Sequence, residues 1–353
     1  MMRSHMDNVL SHDSRNSLRD SLKQDWAKKF SRVILFLGIA IMLCIADRAP
    51  MHLNFHYKDV QIEQEFLSYF DGIVHGTAPG PYVYRILVPF FILNVQKIFS
   101  FADVLTIDFL LKIVLLYICQ SYFFRYLRLF LGGVQSLAGV FLFDVYISLS
   151  LAYVQGPSFI ETEDILNTLV FVAALDAIYR NRFMLLCGIL FIGLLNRETV
   201  LLILPALVLA DRSAKRGYMR SGLITAAMIM GYIGIRLFVG TKEFDWVTIG
   251  GMVLNIPYLS EKNALRAVTG NLHMIALLGP LITISAYNFK NHISFLKLAA
   301  SIVPLFIVVH YVFGTIIETR LWMPLFVILI PLAIGNLQKF LETLPPASEK
   351  LQT

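Results

Sequence analysis

Charge is scarce in this chain. Asp, Glu, Lys and Arg together make up 15% of its 353 residues, while 57% are hydrophobic and the mean hydropathy is +0.68. Soluble domains carry about a quarter charged residues, so two soluble domains, the ordinary reading of this length, are excluded. Cysteine is nearly absent too. Cys44, Cys119 and Cys187 all lie in apolar runs, where they read as small buried hydrophobes rather than a disulfide framework or a metal set. The sequence lacks a P-loop, a dinucleotide-binding glycine pattern, an Asp-x-Asp pair and a nucleophile elbow. ATP-driven chemistry and soluble nucleotide-sugar donors therefore have no motif to rest on. The net charge of +6 points to no nucleic acid, because Lys and Arg in so apolar a chain act first as topology signals.

Long apolar stretches are what the sequence does have. A hydrophobic share of 57% would fill about ten spans of ~20 residues each. The pattern predicts an all-α polytopic integral membrane protein with about 10–11 apolar helical segments. They fall near 31–46, 83–101, 104–124, 132–152, 164–179, 183–195, 199–210, 221–239, 271–288, 298–316 and 321–337. Residues 1–30 form a polar lead ending in Lys28, Lys29 and Arg32, which fits an uncleaved start-transfer anchor with a cytoplasmic N-terminus. Residues 31–337 form a single transmembrane domain, and the polar stretch 338–353 reads as a cytoplasmic tail, disordered from about Leu337. The expected location is the inner (plasma) membrane of a cell.

Two segments resist a simple count. The run 183–210 is interrupted by Asn196, Arg197 and Glu198. Each charge at the bilayer centre costs a few kcal/mol, so two short helices with this triplet at their tip are the cheaper arrangement. Two full crossings at 83–101 and 104–124 would leave Arg125 and Arg128 outside, whereas a re-entrant or surface-lying segment at 83–101 returns them to the cytoplasm. With that choice Lys and Arg concentrate on the inner side, as the positive-inside rule requires. The first outer loop 47–82, the stretch 155–164, the triplet 196–198, the loop 241–270 and the turn 318–320 then share the extracytoplasmic face.

That face carries the residues able to do chemistry. In the first outer loop Ile62, Phe66, Tyr69, Phe70 and Ile73 recur at helical spacing, which makes an amphipathic interfacial helix. Asp59 and Glu63 share another face of it. Glu63 reads as solvated, while Asp59 is either solvated or a catalytic carboxylate at head-group depth. Arg85, flanked by Tyr82 and Tyr84, is either a snorkelling anchor in an aromatic belt or a clamp offering bidentate hydrogen bonds to phosphate. Glu161, Glu163 and Asp164 cap the next helix, and three acids exceed what a cap needs. A general base stays open there, as does a divalent metal. Arg197 with Glu198, and Glu318 with Arg320, are either structural pairs or functional groups. Asp108 and Lys112, four apart on one helix, read as a structural ion pair.

The order of these features resembles the GT-C superfamily of polyprenyl-phosphate-dependent glycosyltransferases. The shared elements are a first span, an outer loop with an amphipathic helix and an acid, and a Tyr-Arg-x-Leu-x-Pro segment at Tyr84, Arg85, Leu87 and Pro89. The Asn-Arg-Glu-Thr turn from Asn196 and the late Glu318-x-Arg320 ahead of Pro324 are similar too. The resemblance implies that a sugar passes from a polyprenyl-phosphate donor to a glycan, lipid or protein acceptor on the outer face. By position it makes Asp59 the base, with Asp47 next and Asp164 as a second acidic position. Arg85 becomes the phosphate holder, and Tyr84, Glu161, Glu163, Arg197, Glu198, Glu318 and Arg320 complete the substrate site. The alternative reading is a transporter or flippase with Asp108, Lys112, Asp144, Asp176, Arg236 and His310 along a path through the bilayer, or a polymerase of lipid-linked glycans.

Overall fold

The computed structural model describes residues 12–53, 59–78, 82–152, 161–210, 215–240, 264–314 and 318–343. These residues are helical almost throughout, with no strand among them. Among the described residues thirteen α-helices follow one another: α1 (His12–Leu53), α2 (Asp59–Val74), α3 (Leu87–Ile98), α4 (Val104–Leu127), α5 (Gly133–Ala152), α6 (Glu161–Tyr179), α7 (Phe183–Asn196), α8 (Leu204–Ala210), α9 (Lys215–Val239), α10 (Ala264–Ala286), α11 (Ser294–Ala300), α12 (Ile302–Phe313) and α13 (Met323–Glu342). Seven stretches among the described residues are long and apolar enough to cross a membrane: 24–46, 104–127, 133–150, 217–239, 267–286, 294–313 and 319–342. The chain is a multi-pass helical membrane protein.

Helices α6 and α13 form its centre. α13 packs along α5, α6 and α10, and α6 packs along α4, α7 and α13. Nearly every apolar side chain of α13 from Leu325 to Leu332 is buried. α6 has the length to cross, ~28 Å at 1.5 Å per residue, yet its acidic first turn and Asp176 keep it out of the purely apolar set. The lipid-facing helices show the reverse pattern. Phe238, Met230 and Leu223 of α9 point outward, as apolar side chains do when hydrocarbon is the solvent.

Both ambiguous segments have clear shapes. α3 is 12 residues long, ~18 Å, well short of the ~30 Å hydrocarbon core. It packs on α2 and α4, and α4 restarts at once with Asp103 capping its first turn through Thr106, whose N–H donates at 2.6 Å. Between α7 and α8 the chain turns back at Arg197, which is extended (φ −162°, ψ 135°), and continues as a 3₁₀ turn over Glu198–Ile203. A Cβ on Gly193 would lie 2.7 Å from Val170 and 2.8 Å from Val200, so that glycine lets the two arms and α6 close on one another. At the opposite end Asn181 (φ 56°) and Asn288 (φ 54°) take the left-handed conformation in the tight turns after α6 and α10.

Three expectations about boundaries change. The polar lead is continuous helix with the first span from His12 on, and α13 runs on to Glu342 where a disordered tail was expected from Leu337. The segment expected at 298–316 begins at Ser294 and is jointed at Ser301. In each case polar residues continue a helix that the apolar pattern alone would end. The predicted amphipathic helix exists as α2, but Phe70 and Ile73 of its apolar face are buried against protein, on α3, α4 and the 82–84 turn. The side chains of Ile62 and Phe66 lie outside the described residues, as do residues 153–160, 241–263 and 344–353.

The packing at Gly193 yields a prediction. Gly193→Val should cost about 1–3 kcal/mol by overpacking against stiff β-branched neighbours, read as a lowered melting temperature in detergent, and Gly188→Val, which has no atom near its Cβ position, should cost much less.

Candidate functional site

Five separate segments converge at the end of the bundle where α6 begins and α13 is entered. A 3₁₀ turn over Tyr82–Tyr84 delivers Arg85, 4% exposed. The first turn of α6 supplies Glu163 and Asp164, both fully enclosed. The α7–α8 tip supplies Asn196, Arg197 and Glu198, and a 3₁₀ turn over Thr319–Trp322 supplies Arg320 next to Glu318. The end of α9 contributes Tyr232 and Arg236.

The charges interlock. Arg85 places Nη1 3.5 Å from Glu163 Oε2 and Nη2 3.9 Å from Glu198 Oε1. Asp164 sits between two arginines: one carboxylate oxygen is in direct contact with Nη1 of Arg197, and the other is 3.5 Å from Nε of Arg320. Arg320 turns its Nη2 to Glu318 Oε2 at 3.0 Å. Burial alone would pull the Arg85 pKa down, but Glu198 and Glu163 outweigh it and hold the guanidinium above its ordinary value. Burial pushes the Tyr69 phenol on α2 upward, and Glu163 adds to the shift.

Neutral groups brace the charges. Asn196 donates from Nδ2 to the Glu163 carbonyl at 2.8 Å, tying the hairpin tip to α6, and Thr199 donates to Asn167 Oδ1 at 3.3 Å. Thr319 donates to the Ser150 carbonyl at 2.6 Å, fixing the late turn to the end of α5. Tyr82 carries the Arg85 guanidinium on its face at 4.8 Å, and Tyr84 carries that of Arg236 at 4.4 Å. The Tyr84 hydroxyl donates to the Gly240 carbonyl at 3.3 Å. At the rim of the site, Asp108 holds Lys112 at 3.6 Å and accepts from Thr162 at 2.5 Å, so the ion pair that their spacing suggests is formed.

Exposure divides the carboxylates. Those of Glu163 and Asp164 are 1% and 2% exposed, whereas those of Glu198 and Glu318 are 29% and 33% exposed. The site thus has a sealed floor of paired charges and two acids within reach of the outside. Several floor atoms have no hydrogen-bond partner among the described residues: Arg85 Nε, Glu163 Oε1 and Asn196 Oδ1. Beside the floor is an apolar crevice of about 610 Å³ lined by Ile73, Ile86, Phe90, Leu195, Phe238 and Val239, among others. Ile86 follows Arg85 and Leu195 precedes Asn196 in the chain, so two wall residues of the crevice are next in sequence to residues of the charged floor, though no charged residue among those described lines the crevice itself. Phe90 and Phe238 are exposed, which puts the crevice on the flank of the bundle.

Of the residues singled out from the sequence, Arg85, Tyr84, Glu163, Asp164, Arg197, Glu198, Glu318 and Arg320 come together here. For Asp47, Asp59 and Glu161 the backbone is helical, within α1 and at the first residues of α2 and α6, but their side chains lie outside the described residues. Asp164 is engaged on both oxygens by guanidinium groups, an arrangement that makes it an anchor for arginines. Among the described residues no group of three or more His, Cys, Asp or Glu is placed to hold a metal. Two neighbours of the site gave no sequence signal as site members, Tyr69 and Trp322. No family model, curated protein or solved structure matches the chain.

If the ion pairs hold the five segments together, breaking one should be costly and removing both partners less so. Arg85→Met should destabilise the protein by about 3–5 kcal/mol. The double variant Arg85→Met with Glu163→Met should recover part of that loss, measured as a coupling in detergent-resistance or thermal unfolding assays. Additive losses would mean that Arg85 and Glu163 do not act as a pair.

Proposed function

We propose that this protein is a membrane glycosyltransferase of the GT-C type, moving a sugar from a polyprenyl-phosphate donor to an acceptor on the extracytoplasmic face of the inner membrane, with its N-terminus in the cytoplasm. The observation that carries the reading is the adjacency of two surfaces. Enclosed guanidinium groups at one end of the bundle lie one residue along the chain from wall residues of an apolar crevice of about 610 Å³. A phosphate on a long hydrocarbon chain has these two halves joined in one molecule, and it would reach the flank by moving laterally in the bilayer.

Orientation follows from charge. Lys28, Lys29, Arg32, Arg125, Arg128, Arg180, Arg182, Arg220, Lys290, Lys297 and Lys339 lie toward the end of the bundle away from the site. By the positive-inside rule that end is cytoplasmic and the site faces outward. In the transfer Arg85 takes up charge developing on the departing lipid phosphate, where a preorganised cation in a dry site is most effective. Glu198 and Glu318 are the acids reachable from outside, and Asp59, at the start of α2, remains the carboxylate assigned by resemblance to the first-loop base.

The test uses purified protein in lipid nanodiscs. Arg85→Ala should weaken binding of polyprenyl phosphate by roughly tenfold, the value of a lost charge-assisted hydrogen bond, while free inorganic phosphate should not compete. In vesicles supplied with polyprenyl-phosphate-linked sugars, Asp59→Ala and Arg85→Ala should each abolish transfer. Transfer that survives both replacements defeats the reading, and movement of intact lipid-linked sugar across the bilayer without transfer supports the flippase instead.

A further inference from the structure

The end of the bundle away from the charged site carries a second polar assembly, which the transfer scheme does not use. α10 stops at Ala286, and the chain reverses through Asn288 and a 3₁₀ turn over Phe289–Asn291 before α11 begins at Ser294. One side chain of α13 fixes the reversal. Asn336, 1% exposed, donates from Nδ2 to the carbonyl of Ile284 at 2.8 Å and to that of Tyr287, carbonyls at and just past the helix end that need a partner other than a helical N–H. Its Oδ1 accepts from Nε2 of His292 at 2.7 Å. The turn is thus held against α13 at both ends.

That frame gathers lysines. Lys297 of α11 donates from Nζ to the carbonyl of Lys290 at 3.1 Å, and Lys339 of α13 donates to that of Asn291 at 3.3 Å. The acceptors are consecutive carbonyls, so two ammonium groups from different helices meet over one turn that itself contains Lys290. Lys297 and Lys339 are partly buried and Lys290 is exposed. Each ammonium spends one donor on its carbonyl and keeps two. Among the described residues none of the three lysines forms an ion pair, and Glu342, the acid next along α13, accepts from Gln338 at 2.9 Å instead. His292 registers the crowding. Burial is the main cause that lowers its pKa, and Lys339 and Lys297 push the same way against its bond to Asn336.

A topology signal asks only that basic residues lie on the correct side of the membrane. It does not ask that they converge on a braced turn, where like charges repel unless an anion joins them. The surrounding segments also expose apolar side chains, Tyr287 and Ile293 about the turn and Leu337, Phe340 and Leu341 on the last turns of α13, at the ends of helices long enough to cross the bilayer. Cations and exposed apolar groups at one membrane surface match an amphiphile with an anionic head, whereas a soluble acidic partner would have no use for the apolar ones. We propose that the α10–α11 turn and the end of α13 bind an anionic phospholipid of the adjacent leaflet, its phosphodiester held by Lys297 and Lys339 with Lys290 at the rim. The site is independent of the transferase reading and lies at the opposite end of the bundle.

The experiment measures phosphatidylglycerol retained by the full chain in a neutral detergent, by native mass spectrometry, with phosphatidylcholine as the zwitterionic control. Wild type should retain phosphatidylglycerol in preference. The double variant Lys297→Gln with Lys339→Gln keeps an N–H donor on each side chain and should weaken that binding by about 25-fold, roughly fivefold for each basic residue removed from an anionic surface. Lys28→Gln with Lys29→Gln takes the same charge from the same end of the bundle and should leave binding unchanged. Equal losses in the two double variants, no loss in the first, or a wild type without preference overturns the proposal. Displacement of the lipid by inorganic phosphate or by a polyglutamate peptide overturns the lipid as the occupant. A readout on wild type alone guards against misfolded variants: with ¹⁵N-lysine protein, Nζ of Lys297 and Lys339 should show a through-space contact to the ³¹P of phosphatidylglycerol, and its absence overturns the assignment as well.

Discussion

A charge carried into a helix bundle surrounded by hydrocarbon must meet a counter-charge, because neither lipid nor packed side chains solvate it. The architecture at the site end is largely the consequence of this constraint. Arg85 requires Glu163 and Glu198, and Asp164 requires Arg197 and Arg320. Satisfying them draws together the 82–84 turn, the first turn of α6, the tip between α7 and α8 and the turn before α13. The pairs therefore specify where these segments sit, although buried ion pairs contribute little net stability compared with apolar packing of the same volume. An arrangement that is costly to build and weakly stabilising is better explained by what it holds in position than by the stability it supplies.

The same constraint explains what could be read from the chain before its structure. The turn at Asn196–Glu198 was legible because a polar triplet in a 28-residue apolar run is expensive anywhere but at a tip, and α3 is short, as the charge count for 83–101 had led one to expect. Asp108 with Lys112 was legible as a pair because helical spacing brings them together. The partners of Arg85 and of Asp164 were not. Each residue announced itself as a charge near an apolar boundary, but the pairing is tertiary, set by how α6, the tip and α13 close on one another. The helix through the polar lead and the helix end at Glu342 were hidden for another reason, since polar residues propagate a helix without leaving an apolar trace.

His310 shows where pattern reading stops. A single histidine in an apolar run has no periodicity and no motif, and its sequence placed it only as one residue along an imagined path. What distinguishes it is a set of neighbours that only the fold supplies, Phe306 stacked on its ring at 4.0 Å and Trp322 at 5.5 Å. Polar pairs deeper in the bundle are of another kind. Gln120 donates to Asp144 at 2.8 Å and Arg180 to Asp176 at 2.8 Å, pairings between or within helices that serve to match polar groups where hydrocarbon offers none.

Charge counting adds a last constraint on any ligand of the site. Four arginines of the site, Arg85, Arg197, Arg236 and Arg320, stand with four carboxylates, Glu163, Asp164, Glu198 and Glu318, so there is no surplus cation among them for an added anion. A phosphate entering beside Arg85 has to displace an acid. Glu163 and Asp164 are held in the first turn of α6 with carboxylates 1% and 2% exposed, while Glu198 and Glu318 are 29% and 33% exposed. Only the latter two can swing to water without stranding a charge in the interior, and both sit on 3₁₀ turns or their caps, not within long helices. The floor of the site is therefore rigid by electrostatic necessity, and its adaptability lies in two short turns.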